Sequence, residues 1–393
     1  MKPFVYSLLI VFSVIFFSCK KKDDNLIKNL SELKSRLDIS DTFYVDKNNG
    51  FDLKFKQNYI FRASQSNLQS AYGDLLVLND STMLIASVRG AQIADFVKKS
   101  IYIATSRNKG ETWFNLKKIE HQNNDYLNVS GPSLIKISNK HLMLFVGMKY
   151  SETRIDIIVK ESFDAGNSWS DDKVVYKSDI GYQTVNNNRV LYVDGRIIIP
   201  IAVPSNKNDL YGSIANNMTV YCLYSDDLGK TWNKSPDLLI NGLALLEPGI
   251  EYLGNKTLLM NIRLNIGTVL FAKSVDFGMS WRFATSEFDS PSSPQKVYKI
   301  AENKLIMVWN NTRENYALHG LNRSPLSVAV SEDGGTRWKI LGNLETGVGF
   351  DFSYPSITSD RENVYITYFE MFPQKGHALK LSVIKKSDLS LGL

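Results

Sequence analysis

The chain has 393 residues, with 46 Lys and Arg against 40 Asp and Glu, a formal charge of +6 and 44% hydrophobic residues. Part of that positive surplus lies at the N-terminus, in Lys2 and Lys20–Lys22, so the remainder is near balance and nucleic acid is not an expected partner. Four scattered histidines (His121, His141, His319 and His377) have no metal-ligand spacing, so no metal site is expected.

Lys2 precedes an apolar run from Phe4 to Phe17, and the run ends at Ser18-Cys19. It falls short of the roughly 20 residues that span a bilayer. A short apolar stretch ending in a small residue before Cys looks like a bacterial lipoprotein signal peptide. The pattern predicts a signal segment over 1–18 and a lipid on Cys19, with the protein anchored at the cell envelope on either membrane face. Lys20-Lys21-Lys22-Asp23-Asp24 and the polar stretch to about Asn49 then read as a tether over 19–49. Charge just after the lipidated Cys resembles the surface-export signal of Bacteroidetes lipoproteins. With Cys19 carrying lipid, Cys222 is the remaining thiol, which excludes a disulfide within the mature chain. Cys222 sits in an apolar run and reads as a buried core thiol.

From about Phe51 to about Lys386 the pattern is short strands and turns. Runs such as Leu75–Leu78, Ile101–Ala104, Ile157–Val159, Ile197–Ile201, Thr219–Leu223 and Val364–Tyr368 are apolar and rich in β-branched or aromatic residues. Through this region one phrase recurs five times: Ser106–Trp113, Ser162–Trp169, Ser225–Trp232, Ser274–Trp281 and Ser331–Trp338, each close to Ser-x-Asp-x-Gly-x-Thr-Trp. Five of the six tryptophans occupy its last position, at intervals of 56, 63, 49 and 57 residues, so the chain is a repeat protein. An Asp (Asn108 in the first copy) and a Gly two residues on suit a tight turn. The Asx side chain caps backbone N–H groups and Gly accepts positive φ. The Trp is expected to pack between neighbouring sheets.

This phrase resembles the Asp-box of the sialidase superfamily, and the likeness extends to bacterial sialidase-like proteins with BNR repeats over nearly the whole folded part. The resemblance implies an all-β, six-bladed β-propeller with five Asp-boxes over residues 50–393. About 335 residues at roughly 56 per repeat give six four-stranded blades, and closure leaves only short sheet edges. In such propellers the boxes lie at one rim, and the site residues open the innermost strands.

Measured from the boxes, several segments resemble sialidase site elements. Leu246-Glu247-Pro248-Gly249-Ile250 and the following Leu258–Arg263 look like the element supplying a catalytic Glu and a binding Arg, joined by a turn at Gly254-Asn255. Arg323, in Asn322-Arg323-Ser324-Pro325-Leu326, is placed like an arginine of the carboxylate clamp. Its planar fork suits a carboxylate. Tyr354, in Phe352–Ile357, resembles the nucleophilic tyrosine, the glycosidase exception to a carboxylate nucleophile. A neutral phenol deprotonated by a Glu avoids a second negative charge beside a sugar carboxylate. Asp95, on the loop opened by Arg89-Gly90, resembles the acid/base Asp. The Arg that opens the first inner strand of sialidases has no counterpart in Ala71-Tyr72-Gly73-Asp74-Leu75. Arg62, Arg89 and Arg189 are the candidate substitutes. Asn187-Asn188-Arg189-Val190 resembles the Asn-Asp-Arg-Val element of the same bacterial group, with Asn188 and Arg189 read either as ligand contacts or as a structural turn.

The resemblance implies a lipid-anchored exo-glycosidase, without cofactor and expected to be monomeric, that cleaves a terminal sialic acid or related acidic sugar from a glycan. Tyr354 would attack, Glu247 would serve as its base, Asp95 would protonate the leaving group and then activate water, and Arg263 and Arg323 would hold the sugar carboxylate. The alternatives are a different sugar, suggested by the altered first inner strand, or a binding propeller without catalysis.

Overall fold

The turn-punctuated apolar runs do form strands. The computed structural model describes residues 27–37, 39, 41–47, 53–151, 153–177, 183, 185–205, 218–313, 323–372 and 375–389. Apart from a short helix α1 (Leu30–Leu37) and one terminal turn of 3-10 helix (Lys386–Leu389), the described secondary structure is β.

Two strands, β1 (Thr42–Asp46) and β2 (Lys56–Phe61), precede a series of antiparallel groups. The first group is β3 (Gln69–Val77), β4 (Met83–Gly90), β5 (Ser100–Ser106) and β6 (Phe114–Lys118). The second is β7 (Asn128–Lys136), β8 (Leu142–Ser151), β9 (Arg154–Ser162) and β10 (Lys173–Lys177). The third is β11 (Leu191–Val193), β12 (Arg196–Pro204), β13 (Met218–Ser225) and β14 (Asn233–Lys234). The fourth is β15 (Leu246–Gly254), β16 (Thr257–Arg263), β17 (Val269–Ser274) and β18 (Arg282–Ser286). The fifth is β19 (Lys296–Ala301), β20 (Lys304–Asn310), β21 (Leu326–Ser331) and β22 (Arg337–Glu345). The last is β23 (Asp351–Ser359), β24 (Asn363–Phe372) and β25 (Gly376–Lys385), completed on its outer side by β2 from the start of the fold.

The first strands β3, β7, β11, β15, β19 and β23 touch in that order, and β23 returns to β3. Between successive groups lie separate apolar clusters, the last of which packs Leu75 and Ile85 of the first group against Tyr365, Leu379 and Leu381 of the last. Sandwiching explains the uninterrupted apolar runs. Leu305–Trp309 of β20 is buried on both faces and so does not alternate.

The recurring phrase forms the turn after the third strand of five groups. In the third group, Gly229 N donates to Ser225 Oγ at 2.8 Å, Ser225 Oγ donates to Asp227 Oδ1 at 2.8 Å, and Thr231 N donates to the same Oδ1 at 2.9 Å. The Gly sits at positive φ in every copy, from 81° to 100°. At Gly110 a Cβ would lie 2.4 Å from Leu381 of the last group, so conformation and space both require Gly. Trp113, Trp169, Trp232, Trp281 and Trp338 each join a cluster shared with a neighbouring group, as their position suggested, although only Trp338 is fully buried.

The polar tether expected through Asn49 is corrected by this structure. Ile27 and Leu33 are buried against the third and fourth groups. β1 pairs in parallel with β18 and β22, bridging two groups into one nine-stranded sheet. Mean polarity concealed the few apolar side chains that dock the segment. Cys19 and the segment 1–18 lie outside the described residues. Among the described residues no helix is long and apolar enough to cross a membrane.

Candidate active site

A second repeat, less visible than the turns, opens the first strands. Tyr72-Gly73-Asp74-Leu75, Gly131-Pro132-Ser133-Leu134, Asn188-Arg189-Val190-Leu191, Glu247-Pro248-Gly249-Ile250, Ser293-Pro294-Gln295-Lys296 and Tyr354-Pro355-Ser356-Ile357 occupy corresponding places. At the leading residue φ is 53° for Tyr72, 58° for Gly131, 57° for Asn188, 42° for Glu247 and 55° for Tyr354. Bulges in the pairing of β3, β7, β15 and β23 accompany this turn of the backbone. A bulge re-aims a side chain, and a non-Gly residue held at positive φ costs on the order of 1–3 kcal/mol, a strain that clusters at functional sites. Gly131 contributes no side chain, and a Cβ there would fall 1.9 Å from the Val185 carbonyl oxygen.

Tyr354 Oη donates to Glu247 Oε1 at 2.7 Å. Arg263 Nη1 donates to Glu247 Oε2 at 2.6 Å and its Nε to Ser292 Oγ at 3.1 Å. Arg263 Nη2 has no partner among the described residues. Arg323 Nη1 donates to Ser353 Oγ at 3.0 Å and Nη2 to the Ser292 carbonyl at 3.3 Å, with the guanidinium 5.7 Å from the Tyr354 ring centre. Burial alone would raise the Glu247 pKa. Arg263, by charge and hydrogen bond, together with Tyr354 and Arg323, brings it down to about 2. Burial and then the Glu247 charge push the Tyr354 phenol well above its usual range, against the pull of Arg263 and Arg323. The pair is therefore an ionised carboxylate holding a neutral phenol.

Aromatic rings wall the phenol. Tyr72 meets Tyr354 edge-on at 4.6 Å, Phe369 stacks on Tyr354 at 5.5 Å, and His377 stacks on Phe369 at 4.9 Å. Burial brings His377 down to about 4, so the imidazole is neutral. Asp95 sits on an exposed loop near this wall. The Tyr72 phenol is raised first by burial and then by Tyr354, Asp95 and Glu247. The loop is pinned by buried cations and an amide. Lys99 Nζ donates to the Ala94 carbonyl at 2.7 Å, Asn128 Nδ2 donates to the Asp95 carbonyl at 2.6 Å, and Lys149 Nζ lies 3.8 Å from Asp95 Oδ1.

Glu247, Arg263, Arg323 and Tyr354 are thus brought together, with Asp95 at the edge. The other candidates are not. Arg89 is stacked over Phe61 and Tyr102 and donates to Ser70 Oγ, away from Glu247. Arg62 is exposed over the Tyr59 ring. Asn188 is occupied, donating to Asp74 Oδ1 at 2.9 Å and accepting from Ile357 N at 3.0 Å, so it ties three groups instead of facing a ligand. Arg189 is 1% exposed and its Nη2 donates to the Gln295 carbonyl, so the guanidinium serves a structural contact between the third and fifth groups. Asn322 lies outside the described residues. Among the described residues no cluster of His, Cys, Asp and Glu could hold a metal ion.

Residues 83–366 match the family described as BNR repeat-like domain. The sialidase of Paraclostridium sordellii is 25% identical over 249 residues, covering 55% of this chain and 58% of that protein. The chain belongs to the sialidase superfamily. Among solved structures, Trypanosoma rangeli sialidase superposes with a TM-score of 0.68 at 13% identity, covering 85% of this chain and 60% of that one. The same sialidase, solved in complex with sialic acid, gives 0.64 at 14% identity over 87% and 59%. A protein of unknown function from Dyadobacter fermentans gives 0.66 at 15% identity, over 86% of this chain and 98% of that one. The chain therefore spans about three fifths of the two named sialidases, and its likeness to the solved structures is one of fold.

Within this sialidase-superfamily fold, Tyr72, Phe369, His377, Lys99 and Lys149 are site neighbours that the motif comparison missed. Tyr72 was legible, since it fills the leading place of the first Tyr-Gly-Asp-Leu segment as Tyr354 does in the last. The others come from second and third strands or from a loop, with no recurring phrase to mark them.

Proposed function

We propose that the chain is a six-bladed β-propeller glycoside hydrolase that removes a terminal acidic sugar, of the sialic acid class, from glycans with retention of configuration. The observation that carries this reading is the 2.7 Å bond from Tyr354 Oη to Glu247 Oε1, with Arg263 on the other carboxylate oxygen. The successive four-stranded groups closed by β2 support the blade count, and the five Ser-x-Asx-x-Gly turns support the Asp-box reading.

In the reaction, Tyr354 Oη bonds to the anomeric carbon as its proton passes to Glu247, and Asp95 protonates the departing glycosidic oxygen as that bond breaks. Asp95 then takes a proton from water. The water oxygen attacks the same carbon, and Tyr354 leaves and recovers its proton from Glu247. Arg263 and Arg323 hold the sugar carboxylate. Before a sugar binds, Glu247 near pKa 2 is a poor base for a high-pKa phenol. A substrate carboxylate draws Arg263 and Arg323 partly onto itself, which restores basicity to Glu247 as the sugar binds.

Tyr72 in place of a clamp arginine favours, as a second reading, an acidic sugar other than sialic acid. A release assay with the purified full chain over sialylated and other acidic glycans separates the two. Release from none of them, with glycan binding retained, would leave a binding propeller. We also propose the lipid anchor on Cys19 and residence at the cell envelope. Radiolabelled palmitate should enter the parent and not Cys19→Ala, and equal labelling would sink the anchor.

A further inference from the structure

Arg189 is a buried cation with no carboxylate bonded to it among the described residues. Its Nη2 donates to the Gln295 carbonyl at 2.9 Å, and its Nε and Nη1 have no partner among the described residues. Arg189 belongs to the third group and Gln295 to the fifth, so the guanidinium crosses the ring in front of the fourth group, whose first strand carries Glu247. Asn261 of that fourth group donates to the same Gln295 carbonyl at 3.0 Å. Asn187, two residues before Arg189, donates to the Tyr354 carbonyl at 3.1 Å, which holds this segment against the nucleophile's strand. Glu247, Tyr354 and Asp74 act on Arg189 as negative or potentially negative neighbours, and Lys296 as a second cation. Arg263 and Arg323 act on the same Glu247, as does the buried Lys149, and Lys296 is itself tied to Glu251.

We propose that Arg189 is a positioning residue for the reaction assigned above, a fixed positive charge on the solvent-remote side of the Tyr354–Glu247 pair that never touches the sugar. Its role follows from charge counting. When a sugar carboxylate enters and shares Arg263 and Arg323, two negative groups face each other across the site. Arg189 is a cation outside the clamp, so it helps keep Glu247 ionised and stabilises negative charge developing on the Tyr354 oxygen. In charge, though not in contact, it replaces the arginine missing at Tyr72. This inference rests on the hydrolase reading, and its test separates the two.

In the full chain, Arg189→Met should lower kcat about tenfold to a hundredfold on an aryl glycoside of an acidic sugar, with KM within about threefold of the parent. The acid limb of its pH profile should move toward neutrality, and Arg189→Lys should return most of both. A rise in KM matching that of Arg263→Met would make Arg189 a clamp residue and overturn the proposal. So would a folded Arg189→Met with the parent's kcat and pH profile. If Arg189→Met does not fold, Arg189→Lys decides, since an acid limb displaced despite the retained charge would overturn the proposal. Independently of activity, Arg189→Met should cost less melting temperature in a Glu247→Gln background than in the parent. Equal costs would exclude charge coupling. A parent that hydrolyses no acidic glycoside sinks the hydrolase reading and with it the catalytic role of Arg189, while the melting comparison still decides the charge coupling to Glu247.

Discussion

Two sets of repeated positions run round this molecule, and they are built on opposite terms. The five turns at Ser106, Ser162, Ser225, Ser274 and Ser331 keep both side chains and backbone, because there the side chains make the backbone. Ser Oγ and an Asx carboxylate or amide satisfy the N–H groups that the turn exposes. The openings of the first strands keep a backbone conformation and change the side chain, from Tyr72 through Gly131, Asn188 and Glu247 to Tyr354. A scaffold repeats its residues, whereas a site repeats a pose and fills it differently in each group. The reacting pair of the proposed mechanism, Tyr354 and Glu247, belongs to the second set.

The sharpest way to break this contrast is to exchange single atoms at the inner set. Tyr354→Phe and Glu247→Gln should each lower kcat/KM by about a thousandfold or more while leaving the melting temperature within a few degrees of the parent. Activity close to the parent in either variant, measured on the best glycoside of the panel, would remove the inner set from the chemistry. The outer set should show the converse. Trp338→Ala, at a 2% exposed position packed on Phe288, should cost about 3–5 kcal/mol in urea unfolding. Trp113, Trp169, Trp232 and Trp281 are only partly buried, so their Ala variants should cost less. Equal losses at all five would mean that the turns, and not the core contacts, set the cost.

Acid separates the sets next. A carboxyl held at about 2 contributes stability that is present above the ordinary carboxylate range and is lost as pH falls from there through about 2. For Glu247 the difference from its ordinary value corresponds to roughly 3 kcal/mol. The stability gap between the parent and Glu247→Gln should therefore narrow by about that much between pH 6 and pH 2, read by urea unfolding at each pH. A constant gap would mean that Arg263 does not hold Glu247 ionised.

Sequence carried the outer set almost whole, because each turn brings Ser, Asx, Gly and Trp in fixed order and the Gly has no substitute at positive φ. It carried the inner set only where a motif was unusual. Glu247 before Pro-Gly and Tyr354 before Pro stood out, and the strand alternation then placed Arg263. Arg89 in its strand and Arg189 in its turn are engaged elsewhere for a physical reason, since a guanidinium among apolar residues is as well served by stacking or by a buried carbonyl as by a ligand. The docking of Ile27–Asp46 was hidden because a few apolar side chains, and not a periodic run, hold it. His377 was set aside with the other histidines, because its place against Phe369 depends on the pairing of β24 with β25.

The smallest effect tests the turns directly. Ser225 is fully buried, and its Oγ accepts from Gly229 N at 2.8 Å while donating to Asp227 Oδ1 at 2.8 Å. Ser225→Ala removes that oxygen without touching a packed ring, and leaves one buried N–H without its acceptor. The expected cost is about 1 kcal/mol in urea unfolding, within the range of a lost cap. Because Ser225 lies on the third strand of its group, remote from Tyr354 and Glu247, kcat and KM should stay at parental values. A loss of activity out of proportion to the small loss of stability would mean that the turns transmit strain to the inner openings, and the two sets would no longer be independent.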